Sequence, residues 1–263
     1  VAQNPVLKDS VFGLDGNQSG WAAPPTGTEA NPFVASESMT VESTVTKTLL
    51  LFLILMTSAA FTWRIAEPNA RGEVNAITWP LLVVSMIAGF VAVLMISRKP
   101  KLGKVLAPFY AVAEGVVVGA ISALYSFQSN GIVVQAAIAT AAIFLVMLSL
   151  YRFRIIQVTQ RMRSIVIGLT AGIAVFYVFT LLLSFFTDNV PLINDAGPLG
   201  IAFSVFVIGI ASFNLLLNFD FIEKGAAAKV DRDYEWVGAV GILVTVVWLY
   251  LEMLRLLSKL QRN

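Results

Sequence analysis

Seven apolar stretches dominate this chain, each about long enough to cross ~30 Å of hydrocarbon at ~1.5 Å per residue. They run over 45–63, 77–96, 105–127, 131–151, 165–186, 199–221 and 236–257. They are rich in Leu, Phe and Ala and show no apolar–polar alternation, which argues for helices rather than strands. A backbone in lipid must satisfy its own hydrogen bonds, so only helices or closed barrels can span. Charged residues make up 13% of the 263 residues, about half the ~25% of a soluble domain. The expected fold is an all-α integral membrane protein: a seven-transmembrane-helix bundle (45–263) behind a disordered cytoplasmic N-terminal tail (1–44). That tail carries Pro5, Pro24, Pro25 and Pro32 among Gly, Ser, Thr and Asn, with no sustained apolar period. It lacks the basic start and short apolar run of a secretory signal.

The basic residues sort by side. Eleven fall in the loops after the second, fourth and sixth stretches: Arg98, Lys99, Lys101 and Lys104; Arg152, Arg154, Arg161 and Arg163; Lys224, Lys229 and Arg232. The other loops hold only Arg64 and Arg71. The positive-inside rule therefore puts the eleven, and the N-terminus, in the cytoplasm. Arg255, Lys259 and Arg262 then fall near the outer face. They are expected to snorkel to headgroups, unless one stretch does not fully span.

Two absences narrow the chemistry. With no cysteine and no histidine, disulfides, thiolate metal sites, histidine triads and histidine-ligated zinc or haem are all excluded. No cofactor and no enzymatic activity are expected. The net charge of +2, arranged by topology, gives no footprint for nucleic acid.

Three acids lie within the apolar stretches: Glu114, Asp220 and Glu252. An ionisable residue at membrane depth is a candidate for function by default. Glu114 has no basic residue three or four positions away. It reads either as part of an ion or proton path, or as a neutral acid hydrogen-bonded to a neighbouring helix. Glu252 shares a helical face with Gly241, Thr245 and Trp248. It reads either as a bundle-facing group or as an i,i+3 partner of Arg255. Asp220 has Lys224 one turn on and reads also as an interfacial acid. Asn214 and Asn218 share a face that should meet protein, with Asp220 about 120° or more round from both. Gly115 and Gly119 have the small-xxx-small spacing of close helix contacts. Gly168, Gly172, Gly209, Gly238 and Gly241 are read the same way. Trp63, Trp79 and Trp236 are read as interface anchors.

Four groups of residues carry a family resemblance. Near the start are Asn4-Pro5-Val6-Leu7, Met39-Thr40-Val41 and Thr46-Lys47-Thr48. The third stretch has Ala107-Pro108-Phe109-Tyr110-Ala111-Val112-Ala113-Glu114-Gly115. The sixth has Gly197-Pro198-Leu199-Gly200-Ile201 and Asn218-Phe219-Asp220-Phe221-Ile222-Glu223. The seventh has Glu235-Trp236 and Trp248-Leu249-Tyr250-Leu251-Glu252-Met253-Leu254-Arg255-Leu256-Leu257. Over nearly its whole length the chain resembles the Bax inhibitor family (transmembrane Bax inhibitor motif), in its bacterial YccA-like branch.

The resemblance implies a seven-helix fold with the last helix at the centre, in the bacterial inner membrane. It also implies a pH-sensitive calcium leak or proton-coupled transport, gated by a carboxylate pair matching Asp220 and Glu252, where calcium would bind transiently. Calcium takes oxygen ligands, and close carboxyls titrate as a pair. Two departures from the family pattern stand out. Glutamate occupies the usual aspartate position on the last helix, and the two acids lie about two helical turns further apart in sequence. Glu114 is thereby a candidate third or replacement carboxylate. The YccA-like resemblance carries an alternative: a membrane interaction protein that modulates a membrane protease or other complex. The implied partners are the bilayer, calcium ions, protons and, in the alternative, that protease.

Overall fold

In the computed structural model the described residues are 38–69, 73–183 and 197–262. The expected disordered segment lies, for residues 1–37, outside them. Seven long helices are present among the described residues: α1 (Val41–Ala66), α2 (Thr78–Arg98), α3 (Gly103–Gln128), α4 (Ile132–Arg152), α5 (Gln160–Leu183), α6 (Pro198–Ala227) and α7 (Tyr234–Arg262). All seven are long and apolar enough to cross a membrane, and they coincide with the seven expected stretches.

Their ends move for local reasons. α1 starts at Val41, because the Thr40 side chain accepts from Ser43 N at 3.2 Å and Glu42 complements the exposed N–H groups of the first turn. Residues 38–44 are thus part of the bundle rather than of a tail. Met39 is buried and donates its N–H to Val230 O at 2.7 Å. α5 starts at Gln160, with the Thr159 hydroxyl accepting from Met162 N at 3.2 Å. Arg161 and Arg163 are therefore helical, not loop residues. α6 starts on Pro198, whose missing N–H would have had no intrahelical partner there. Gly131, at φ 82, makes the left-handed turn from α3 into α4, a conformation glycine adopts without steric cost.

α7 is the central helix. It packs on α6, α1, α4 and α3. In its apolar window 61% of residues are buried, against 17% in α5. Lipid tails are as apolar as leucine, so helices in a bilayer associate through close packing and interhelical hydrogen bonds. The α1–α3 contact is built this way. A Cβ placed on Gly115 would sit 2.5 Å from Leu55 O, and one on Gly119 would sit 2.3 Å from Ala59 O. The Ser58 hydroxyl adds a bond to Val112 O at 2.8 Å. Gly238 likewise meets Ile222 and Thr44, and Gly241 meets Asn218. Gly168, Gly172 and Gly209 do not behave as expected: a Cβ at any of them would have no neighbour within 4 Å. They lie on open faces, where sequence spacing looks the same as at a contact.

The basic residues of α7 also depart from expectation. Lys259 is fully buried and donates to Gly200 O at 2.9 Å and to the Ser204 hydroxyl at 3.1 Å. Arg255 bonds to Glu252 and Tyr177. Both turn into the protein rather than snorkelling, because α6 and α5 offer oxygen acceptors at that level. Arg262 alone of the three is exposed.

Candidate functional site: a polar seam between α5, α6 and α7

Asp220 and Glu252 are both buried, at 6% and 1% exposure, but they do not meet. Asn218 donates to Gly241 O at 3.0 Å and to the Thr245 hydroxyl at 2.8 Å, which puts residue 218 of α6 level with 241–245 of α7. From that level Asp220 and Glu252 lie in opposite directions, roughly 14–20 Å apart along the axis at ~1.5 Å per residue. The carboxylate pair implied by the resemblance is therefore absent as a direct contact in this structure. Each acid has its own cations. Asp220 Oδ2 accepts from Arg163 at 2.6 Å and from Lys224 at 2.8 Å. Glu252 Oε2 accepts from Arg255 at 2.5 Å and from the Tyr177 hydroxyl at 2.7 Å. Among the described residues Glu252 Oε1 is buried without a hydrogen-bond partner.

What connects the two acids is a line of polar groups. α5 carries Arg163, Thr170 and Tyr177, seven residues apart, so that they fall on one stripe with a drift of only about 20° per heptad. Each meets a polar group across the interface. Arg163 meets Asp220, Thr170 accepts from Asn214 at 2.7 Å, and Tyr177 meets Glu252 and Arg255. Asn218–Thr245–Gly241 fills the level between the first two, and Ser204–Lys259 follows the last. Thus Asn214 faces α5 while Asn218 faces α7. The seam is interrupted by an apolar cluster of Ile173, Val207, Ile210, Phe203 and Trp248.

At the Asp220 end a recess of about 390 Å³ opens between α2, α5, α6 and α7, reaching Arg163, Asn218, Gly241, Thr245 and Ser97. It brings a cavity to the three oxygen-bearing groups of the middle level. Among the described residues no three carboxylates cluster in a way that could hold a metal ion.

Glu114 lies elsewhere. It is half-buried between α3 and α2, beside Gly89, and is hydrogen-bonded to Tyr110 one turn back on its own helix. It touches neither Asp220 nor Glu252.

Glu235 escaped the reading of the sequence because it adjoins a charged loop. It is 1% exposed. It accepts from Thr40 N at 2.9 Å, from the Ser43 hydroxyl at 2.7 Å and from Lys47, with Arg232 at 3.7 Å. Lys47 also lies 4.8 Å over the Trp236 ring. One carboxylate thus serves the N-terminal turns of both α1 and α7, where exposed N–H groups favour an anion. The Tyr177 stripe on α5 was visible as a heptad spacing, but only once its partner helices were known.

Seven apolar helices with α7 at the centre, and two ion-paired acids buried between three of them, define a polytopic integral membrane protein. The family described as Bax inhibitor 1 like matches residues 4–262, nearly the whole chain. The chain belongs to that family. No curated protein matches it closely enough to count as a relative.

Proposed function

We propose that this protein is a pH-sensitive cation leak channel or proton-coupled transporter, with calcium as the cation, whose path follows the α5–α6–α7 seam. The reading rests on one observation: Arg163, Thr170 and Tyr177 of α5 each meet a polar group on α6 or α7 at successive depths. Polar groups at membrane depth are costly and mark pathways. The recess at Asp220 serves as one vestibule. The positive-inside rule assigns that end, and the N-terminus, to the cytoplasm of a bacterial inner membrane. No enzymatic step is assigned.

The chemistry follows from the ion pairs. With Asp220 and Glu252 ionised, Arg163 and Arg255 are held across the seam and close it at both ends. Loss of the charge on either acid removes the Coulombic attraction that holds its arginine, and the corresponding end loosens. Once Arg163 moves aside, the Asn218 side-chain carbonyl and the Thr245 hydroxyl offer, in the recess, the hard oxygen ligands that calcium prefers.

The test is calcium flux into proteoliposomes from pH 5 to 8. Asp220→Asn and Glu252→Gln are expected to abolish the pH dependence of flux, and Glu114→Gln to leave it intact. Absence of flux from folded protein at every pH would sink the reading and favour the interaction-protein alternative.

A further inference from the structure

A second and larger cavity lies on the other side of α7, away from the polar seam. Its volume is about 1270 Å³, beyond the ~300–1,000 Å³ of small-molecule sites. α1 and α4 form its two sides without packing on each other. One side carries Val45, Leu49 and Met56 of α1, the other Ala137, Ala141 and Leu145 of α4, and Val246 of α7 forms the floor. This is a slot in the lipid-facing surface, and its walls are overwhelmingly apolar. Water does not fill an apolar cavity of this kind, and in a bilayer the surrounding medium is acyl chain.

Both ends of the slot carry charge: Arg64 of α1 lines one end, and the end of α4 brings two arginines to the other. Arg152 and Arg154 line its mouth together with Tyr151 and Glu223. α4 ends there in a left-handed cap at Arg154, φ 55, with Ile155 N bonded to Leu150 O at 3.0 Å, and this turn brings both arginines to the mouth. Glu223 accepts from the Tyr151 hydroxyl and lies 3.4 Å from Arg154. Two guanidiniums thus face one carboxylate, leaving a net positive mouth, and Arg152 is exposed. From Arg152 to Ala141 is eleven residues, or about 16 Å of helix, close to the ~15 Å hydrocarbon depth of one leaflet.

We infer that the α1–α4 slot is a binding site for one anionic phospholipid, its phosphate on Arg152 and Arg154 and an acyl chain lying along Ala141 and Ala137. The site is separate from the cation path and stands whether or not the protein conducts ions. The small side chains of Ala137 and Ala141 leave the width that the chain occupies, and the arginines select the headgroup charge.

The experiment is lipid retention by the detergent-purified full chain, read by native mass spectrometry. Phosphatidylglycerol is compared with phosphatidylcholine of the same acyl composition. Wild type is expected to retain one phosphatidylglycerol in preference to phosphatidylcholine. Each arginine is worth about fivefold for an anionic headgroup, so Arg152→Gln/Arg154→Gln together should weaken phosphatidylglycerol retention roughly 25-fold, to the phosphatidylcholine level. Lys101→Gln/Lys104→Gln, exposed lysines outside the slot, should change nothing. Ala141→Trp, which fills the slot, should remove both lipids. If Ala141→Trp does not fold, the arginine variant decides alone. Equal retention of the two lipids by wild type, phosphatidylglycerol retention insensitive to the arginine change, or an equal loss from the lysine variant overturns the assignment. So does a second copy of the chain, rather than lipid, in the slot.

Discussion

Gly119→Ala adds one methyl group at the tightest backbone approach in the bundle. The new Cβ would stand 2.3 Å from Ala59 O and 2.9 Å from Ala59 Cα. Ordinary carbon contacts lie at about 3.5–4.0 Å, so α1 and α3 must separate by roughly 1 Å. That separation also draws Gly115 away from Leu55 O and Ser58 and stretches the Ser58–Val112 hydrogen bond of 2.8 Å. Overpacking of this kind costs about 1–3 kcal/mol, and loss of the hydrogen bond adds about 1 kcal/mol. The matched control is Gly168→Ala, where the same methyl group meets nothing within 4 Å and only removes backbone freedom, a change worth about −0.5 to −1 kcal/mol in helices. The two substitutions should therefore differ by about 2.5–5 kcal/mol in unfolding free energy, read by helicity during denaturation in mixed micelles. Ala59→Gly should not rescue Gly119→Ala, because the clash is with a carbonyl oxygen that every residue carries. Equal stability of the two alanine variants, or rescue by Ala59→Gly, would refute the close-contact reasoning.

Glu235→Gln should cost about 3–5 kcal/mol, the scale for removing one partner of a buried ion pair. It leaves Lys47 without its carboxylate and weakens the cap shared by α1 and α7. Thermal unfolding in detergent reads it, and Glu42→Gln, at an exposed position, is the control with little change. Tyr177→Phe removes the hydroxyl that joins Glu252 to Arg255, at about 1 kcal/mol of stability. If the seam is the path, it should also shift the pH midpoint of flux without abolishing it. An unchanged profile would place Tyr177 outside the path.

The seven spans were legible because lipid leaves the chain almost no other solution, and each span carries its own signal within about 20 residues. Gly115 and Gly119 were legible as a pair because close contact leaves a local spacing. Gly168 and Gly172 show how little that spacing proves alone, since a lipid-facing glycine and a buried one have the same neighbours in sequence. Lys259 was read as a snorkelling residue, and Glu235 was passed over, for a related reason. Nothing near them in sequence names the Gly200 carbonyl or the Thr40 and Ser43 donors that make their burial tolerable. Asp220 and Glu252 were individually visible as acids at depth. Their separation needed the α6–α7 register, which Asn218 and Thr245 set across a gap of 27 residues.

α5 is the least buried of the seven helices, yet its single stripe holds Arg163, Thr170 and Tyr177 against both acids and Asn214. A rod that touches three depths along one line has few independent ways to let go. Turning α5 about its own axis by one residue's angle, about 100°, withdraws all three side chains together. The two ends of the seam thus rest on one stripe of one helix, and a single motion of that helix is enough to release both.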